Sequence, residues 1–253
     1  MKTSQTVLAE NLKKEAYASV LCYPKANEAE VQKRLIELRE LGVKAVEFVG
    51  EANAFNVPIL GKGYVGIVIV AHVDGQRVAL KIRRVDADRD GLQHEAQMLT
   101  KANAVQVGPR LIGVSRNFLL IELIEGALLP NWLDANKEKE QVRGVLKDIL
   151  EQCWRLDSAG LDHGELSRAP KHIILDKQRQ PWIIDFESAS VNRKPANVTS
   201  ICQFLFTSGS EVSRRVAAVL GERKREEIIC ALRLYKKNRT RGNFNQIVQV
   251  CLS

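Results

Sequence analysis

The sequence lacks any apolar run long enough to cross a membrane. Its longest apolar runs, such as residues 67–71 and 118–121, fall far short of the roughly 18 residues that a membrane-spanning helix needs. We also expect no secretory signal, because charged residues interrupt the first 25 positions, where an unbroken apolar segment would be required. These absences predict a protein that has no membrane partner and stays in the cytoplasm.

The sequence also lacks paired cysteines. Its five cysteines are odd in number, widely scattered and never arranged as C-x-x-C. This distribution argues against a disulfide framework and against a structural zinc site. We expect reduced and mostly buried thiols at Cys22, Cys153, Cys202, Cys230 and Cys251.

The amino-acid composition is that of an ordinary globular protein. Apolar residues make up 45% and charged residues 27% of the 253 positions, so the chain can bury a sizeable core. This length suits one unit built from two lobes. The net charge of +8 suits either a phosphate-rich ligand or a nucleic acid partner, and does not discriminate between them.

Residues 1–50 are predicted to form an N-terminal helical extension. One helix is expected over residues 6–23, because Pro24 disfavours helical geometry at the residue before it. A second helix has clearer limits, since Asn27 is a capping residue with Glu30 three positions later and Gly42 follows the last turn.

Residues 51–124 are predicted to form a small lobe with an antiparallel sheet. Asp74 and Gly75 provide a hairpin turn, and residues 88–102 have the apolar spacing of one helix laid against the sheet. The strands are expected at residues 57–60, 66–72, 77–82 and 117–123.

Residues 125–253 are predicted to form a mainly helical lobe. Two short strands, at residues 172–175 and 182–184, are expected to be joined by a polar turn. The expected helices cover residues 137–159, 199–206, 210–220, 224–237 and 243–252. The fold class predicted for the whole chain is therefore α+β, with a β-rich half followed by a helical half.

A glycine-rich segment at residues 61–68 is the first candidate site. It reads G-x-G-x-x-G-x-V, with Lys62 inside it, and lies between two predicted strands. A strand on each side favours a hairpin folded over nucleotide phosphates, because glycines let a ligand approach the backbone. The alternative is an ordinary hairpin turn. The residues involved are Gly61, Lys62, Gly63, Gly66 and Val68.

Lys81 is the second candidate. It ends the run Val78-Ala79-Leu80-Lys81 on the next predicted strand, which matches the kinase V-A-I-K with one aliphatic change. A pair with Glu95, on the helix that follows, would direct the amine of Lys81 toward a nucleotide. The alternative is a solvated lysine on an edge strand.

Two later segments carry the most specific signal. Residues 161–175 read LDHGELSRAPKHIIL and residues 183–187 read IIDFE. They resemble the catalytic loop and the metal-binding segment of the protein-kinase-like superfamily, especially the compact RIO-type and KEOPS-complex-type kinases, in which H-G-D-L replaces H-R-D-L. From Gly61 to Glu187 the resemblance covers about half of the chain, with its elements in the expected order.

The resemblance implies a bilobal kinase fold that binds ATP with Mg²⁺ or Mn²⁺ and phosphorylates a serine or threonine. It implies that the glycine segment, Ala79, Lys81 and Glu95 form the phosphate side of the site, and that backbone groups at Glu122 and Ile124 hold the adenine. It further implies that Asp185 is a metal ligand. The acceptor would be a protein or a ribonucleoprotein assembly.

Three departures from the family pattern fall within the catalytic and metal-binding motifs. Glu165 occupies the place of the catalytic aspartate, and its extra methylene displaces the carboxylate that accepts the hydroxyl proton. His172 occupies the place of the metal-binding asparagine, where its nitrogen suits Mn²⁺ better than Mg²⁺. Glu187 replaces the glycine of D-F-G, and no A-P-E segment follows.

These departures leave several functions open. The chain is predicted to be an active serine/threonine kinase, or else an ATP-binding pseudokinase-like switch with little turnover. A third reading is a scaffold that binds RNA or a ribonucleoprotein through the basic residues between 214 and 241, and a small-molecule phosphotransferase is a variant of the first. For those basic residues, a solvated helical face is favoured over direct nucleic-acid binding, because few aromatic residues accompany them.

Overall fold

The computed structural model describes residues 5–253 and divides into two compact units. The first, called here the sheet unit, contains the described residues up to Gln97 together with Arg110–Leu123. The second, called the helical unit, contains Met98–Pro109 and Ile124–Ser253. The predicted α+β class, with a sheet-rich N-terminal part and a helical C-terminal part, is confirmed.

The sheet unit is built on a seven-stranded antiparallel sheet. Its strands are β1 (Gln5–Leu8), β2 (Val43–Phe48), β5 (Gly61–Lys62), β6 (Gly66–Val73), β7 (Gln76–Arg83), β8 (Leu111–Val114) and β9 (Phe118–Glu122), and β3 (Ala52–Ala54) pairs with β4 (Val57–Ile59) separately. The order is β1-β2-β6-β7-β9-β8, with β5 paired to β6. The helices are α1 (Glu15–Leu21), α2 (Glu28–Glu40) and α3 (Gln93–Ala104), the last of which continues into the helical unit.

The hairpin between β6 and β7 confirms the predicted turn. Asp74 and Gly75 have φ values of 49° and 77°, the left-handed geometry that a two-residue turn needs and that Asp and Gly tolerate best. Val73 pairs with Gln76 next to the turn, and Gly66 pairs with Arg83 at the far end. Local sequence therefore fixed the register of the two longest strands.

The predicted N-terminal helix over residues 6–23 is wrong at its start. Residues Gln5–Leu8 form β1, which pairs with β2, residues Ala9–Lys13 form a 3-10 helix, and the helix α1 begins at Glu15. Val7 is buried while Gln5, Thr6 and Leu8 are exposed, a pattern that suits the edge of a sheet. β2 also lies within residues 1–50, so this segment supplies two strands to the sheet in addition to its helices.

The second helix, α2, has the predicted cap, because Asn27 Oδ1 accepts a 2.9 Å hydrogen bond from Glu30 N–H.

Arg34 joins α2 to the sheet through a network that no sequence motif indicates. Its side chain is 0% exposed. The guanidinium donates to Glu30 Oε1 at 2.7 Å, to Leu21 O at 2.8 Å, to Arg83 O at 2.6 Å and to Asn117 Oδ1 at 3.1 Å. A buried charge is tolerated only when it is paired and hydrogen-bonded in this way, so these contacts make α2 an integral part of the sheet unit.

The two faces of the sheet bury different elements. Leu80, Ile82 and Phe118 belong to a large core that also includes Leu21 of α1 and Leu38 of α2. A second, smaller cluster lies on the other face and contains Val65, Leu92, Ala96 and Leu119. Since side chains alternate along a strand, this division places Ala79 and Lys81 on the face that α3 covers.

The helical unit contains α4 (Leu129–Ala135), α5 (Lys139–Ser158), α6 (Asn197–Cys202), α7 (Glu211–Leu220), α8 (Arg225–Lys237) and α9 (Arg241–Leu252). A short sheet of β10 (Gly126–Leu128), β11 (Ile173–Asp176) and β12 (Pro181–Ile183) completes it. The predicted strands and five helices are confirmed to within a few residues, whereas β10 and α4 were not predicted. Asp157 links three helices by accepting hydrogen bonds from Tyr235 Oη at 2.8 Å and from Asn197 N at 2.9 Å.

Among the described residues, no helix combines the length and the apolar character needed to span a bilayer. All five cysteines are free thiols, and all but Cys230 are buried.

Candidate functional site

The glycine segment forms a tight hairpin between β5 and β6. Gly63 N–H donates to Gly66 O at 2.8 Å, which leaves Tyr64 and Val65 at the tip. Val65 is buried against the small cluster beside α3, whereas Tyr64 is exposed and its hydroxyl donates to Asp88 Oδ2 at 3.2 Å. The predicted strand-loop-strand placement is thus confirmed.

Of the three glycines in this hairpin, only Gly66 is required by the packing of the fold. A Cβ on Gly66 would lie 2.7 Å from Ile82 O, so close packing of β6 on β7 requires glycine. A Cβ on Gly61 would meet no atom within 4 Å, and one on Gly63 would meet nothing nearer than 3.6 Å. Neither Gly61 nor Gly63 has a positive φ. The fold itself therefore does not need glycine at these two positions, which fits a segment whose backbone a ligand approaches closely.

Lys81 and Glu95 form a buried ion pair within the sheet unit. Lys81 Nζ lies 3.0 Å from Glu95 Oε1 and 2.8 Å from Oε2, and the side chains are only 9% and 6% exposed. Lys81 pairs with Val68 on one side and Leu119 on the other. It therefore lies on an interior strand, and the edge-strand alternative is wrong. Val68 is directly opposite Lys81, and Ala79 is two residues away, so all three share one face of the sheet.

Glu122 ends β9, just before the boundary between the two units. Its N–H donates to Arg110 O at 2.9 Å, and its carboxylate accepts from Arg110 N at 3.2 Å. The Glu122 N–H is thus already used, which restricts any adenine contact of this residue to its carbonyl group. Ile124 follows the boundary and belongs to the helical unit, and its predicted contact with adenine stays a prediction.

In the helical unit, the two motif segments are held side by side. Asp162 and Ser190 exchange backbone hydrogen bonds of 2.9 and 2.8 Å. Gly164 has a φ of +91°, and a Cβ there would lie 2.8 Å from Ser188 O. Arg193 reinforces the contact by donating to Asp162 Oδ2 at 3.0 Å and to Ser188 O at 2.6 Å. The glycine of H-G-E-L is needed because the two backbones approach so closely.

This approach brings Glu165, His172 and Asp185 together. His172 Nε2 lies 3.4 Å from Glu165 Oε2 and 3.9 Å from Asp185 Oδ2. Ser188 Oγ donates a hydrogen bond to the other oxygen of Glu165, Oε1. Asp185 has a φ of 70°, a left-handed conformation that aspartate tolerates better than most residues.

The donor set around Asp185 fits a divalent cation. Its carboxylate is 34% exposed and supplies the oxygen ligands that Mg²⁺ prefers. His172 adds an imidazole nitrogen, which suits Mn²⁺. Its ring is only 13% exposed and its Nε2 faces both carboxylates, so the same nitrogen is also placed to donate a hydrogen bond to Glu165.

His163 packs against the segment that carries Asp185, as a neutral and fully buried imidazole. Its Nε2 lies 3.1 Å from Ile184 O, and its ring packs at 4.9 Å from the ring of Phe186. Its Nδ1 has no hydrogen-bond partner among residues 5–253. Burial, together with the neighbouring His172, lowers the pKa of His163 from 6.5 to about 4.

We expect this histidine to make stability depend on pH. Below pH 6.5 the unfolded chain takes up a proton at His163 that the folded protein does not accept until about pH 4. The free energy of unfolding should therefore fall as the pH is lowered, by about 2 kcal/mol between pH 7 and pH 5 from this group. Urea unfolding of the wild type and of His163→Gln at both values measures the difference, because glutamine does not titrate. An identical pH dependence in the two proteins would contradict the assignment.

Sequence reasoning missed Ser188 and Arg193. Both follow the D-F-E segment in a loop without periodicity, and their importance depends on contacts with the earlier H-G-E-L segment. The only local hint was Gly164, whose place in the motif signals a close backbone contact without identifying the partner.

Two comparisons with known proteins bear on this site. The family model of the RIO domain matches residues 71–201, just over half of the chain. This range contains Lys81, Glu165 and Asp185, whereas the glycine segment precedes it. An uncharacterized protein from Methanocaldococcus jannaschii is 30% identical over 89 residues, which cover 35% of this chain and 74% of that relative.

Proposed function

Because the chain belongs to the RIO-domain family of protein-kinase-like proteins, we propose that it transfers the γ-phosphoryl group of ATP to a serine or threonine hydroxyl. The observation that carries this proposal is the buried pair of Lys81 and Glu95. Burying two charges is costly. Kinases bind nucleotide phosphates with a lysine on a central strand whose ammonium group is held by a carboxylate from a helix.

In this proposal the sheet unit binds the nucleotide. Gly61, Lys62 and Gly63 approach the phosphates through their backbone, and Lys81 pairs with the α- and β-phosphates. Val68 and Ala79, on the same face as Lys81, contact the adenine ring, and the Glu122 carbonyl holds its edge.

The helical unit supplies the chemistry. Asp185, with His172, would hold Mg²⁺ or Mn²⁺, and that ion would neutralise charge on the phosphate oxygens. Glu165 accepts the proton of the acceptor hydroxyl. The acceptor oxygen forms a bond to the γ-phosphorus while the bond from that phosphorus to the bridging oxygen breaks, so the products are ADP and a phosphoester. We propose a protein or a ribonucleoprotein component as the acceptor.

The scaffold alternative loses support from the contacts of the basic residues. Arg241 donates to both carboxylate oxygens of Glu151 at 2.6 Å, and Arg239 donates to the carbonyl of Pro195. Arg215 donates to Pro130 O at 2.7 Å and pairs with Glu211 at 2.6 Å. These arginines stabilise the helical unit, which leaves fewer of the basic side chains for RNA phosphates.

Binding and transfer are tested separately on the wild-type protein. At an ATP concentration about 100 times the Kd, in the presence of Mg²⁺ or Mn²⁺, the free energy of unfolding should rise by about 2.7 kcal/mol. Labelled γ-phosphate should then appear on added protein acceptors. Stabilisation by ATP without any transfer to protein or water would replace the kinase proposal with the pseudokinase-like switch, and absence of stabilisation would contradict both.

The glycine hairpin offers a sharper test of where ATP binds. Gly63→Ala should leave unfolding unchanged, since a Cβ there meets no atom nearer than 3.6 Å, yet weaken ATP binding about tenfold, or about 1.4 kcal/mol. Gly144→Ala in α5 is the matched control, because a Cβ there meets no atom within 4 Å. Equal ATP affinity in the two variants would place the nucleotide elsewhere.

A further inference from the structure

Glu165 poses a geometric problem for the proposed reaction. A side chain one methylene longer than the family's aspartate has an additional rotatable bond and a displaced carboxylate. Its side chain is 37% exposed, so the surrounding packing alone does not fix it. A base that must stay within hydrogen-bonding reach of the acceptor hydroxyl needs a further contact to hold it.

Ser188 makes that contact. Its hydroxyl donates to Glu165 Oε1, while Glu165 Oε2 lies 3.4 Å from His172 Nε2. The two carboxylate oxygens thus have different neighbours. Ser188 orients the carboxylate by its Oε1 atom, which leaves Oε2 as the atom directed toward His172 and available to a hydroxyl.

Ser188 is itself held in place by several contacts. Its carbonyl oxygen accepts from Arg193 Nη2 at 2.6 Å, and Arg193 also pairs with Asp162 at 3.0 Å. The adjacent bridge between Asp162 and Ser190 joins the same two segments. Asp162 Oδ1 in addition accepts from Ala196 N at 3.0 Å. A serine on such a constrained backbone can fix the position of a longer side chain.

We infer that Ser188 is a positioning residue that adapts this site to a glutamate base. The inference rests on the proposed function, and it adds a residue outside the H-G-E-L and D-F-E motifs to the machinery of phosphoryl transfer. In this arrangement Glu165 and Ser188 together do the work of one shorter carboxylate. The serine takes no part in proton transfer.

A double-mutant cycle tests the inference. Ser188→Ala should lower kcat about tenfold, the scale expected when a hydrogen bond to a charged group that orients a base is lost, while the KM for ATP stays unchanged. In Glu165→Asp the shorter carboxylate is not expected to reach Ser188, so adding Ser188→Ala there should change kcat by less than about twofold. Ser190→Ala is the control, because the Ser190 hydroxyl lies in the same loop and accepts from Asn192 N at 3.1 Å.

The outcomes separate this inference from the proposed function. If the wild type transfers phosphate and Ser188→Ala matches it, or if Ser188→Ala costs the same in both backgrounds, the positioning role is overturned while the kinase function stands. If the wild type transfers no phosphate, the proposed function fails and the inference falls with it. Cooperative thermal unfolding of all five proteins, measured alongside, shows that any loss of kcat comes from a folded enzyme.

Discussion

Replacing Lys81 with methionine is expected to remove stabilisation by ATP and to lower the rate of phosphoryl transfer about 10²- to 10³-fold. Methionine keeps much of the apolar stem but removes the charge that would face the phosphates. Loss of one preorganised electrostatic contact in a site shielded from water has an effect of this size. Lys81 Nζ is held by both oxygens of Glu95, so its position is fixed before any nucleotide arrives.

The variant has a structural cost that must be separated from the binding effect. Lys81→Met leaves Glu95, which is only 6% exposed, without its cationic partner, and breaking a buried pair in this way costs about 3–5 kcal/mol. Combining Lys81→Met with Glu95→Gln removes the buried charge. We expect the double variant to recover stability but not the response to ATP, as measured by unfolding with and without nucleotide.

Arg77→Met is the matched control for Lys81→Met. Arg77 lies on the same strand, pairs with Glu47 at 3.0 Å and is 41% exposed. Removing an exposed ion pair changes stability by only about 0–1 kcal/mol, and the ATP response should be retained. A Lys81→Met protein that ATP stabilises as strongly as it stabilises Arg77→Met would rule out the proposed phosphate contact.

Replacing Arg34 with leucine is expected to give a large loss of stability, about 3–5 kcal/mol. The change removes four hydrogen bonds and leaves the carbonyls of Leu21 and Arg83 without this donor inside the sheet unit. Buried acceptors that lose their partners pay the full cost of desolvation. The effect arises because Arg34 connects α2 to β7 and to the turn before β9.

Urea unfolding of Arg34→Leu beside Arg39→Leu measures this effect. Both positions are in α2, but Arg39 is exposed, so its replacement should change the free energy of unfolding by no more than about 0.5 kcal/mol. Similar losses in the two variants would mean that the buried network adds little. In that case α2 would be held mainly by the apolar contacts of residues such as Val31 and Leu38.

Short-range signals predicted much of this fold. The hairpin at Asp74 and Gly75 followed from two residues that accept positive φ, and the start of α2 followed from the cap at Asn27. The order of the glycine segment, Lys81, H-G-E-L and D-F-E indicated the family. The pair of Lys81 and Glu95 was also predicted, because both residues occur at fixed places within recognisable patterns.

Signals that depend on distant partners were missed. Residues Gln5–Leu8 form a strand because β2 offers them an edge, and their partners in β2 occur 37 to 43 positions later. Their own sequence does not specify this partner. The hydrogen bond from Ser188 to Glu165 likewise joins a loop without periodicity to a motif in another segment.

The sequence by itself determined the alternation of strands and helices, the turn and cap positions, and the residue types available for chemistry. These properties depend on backbone preferences and periodicity within a few neighbouring residues. Only the tertiary structure decided that Arg34 is buried, that Lys81 lies on an interior strand and that Ser188 holds Glu165. Burial and hydrogen-bond partners are set by residues brought together from distant parts of the chain, and no local pattern specifies which of them will meet.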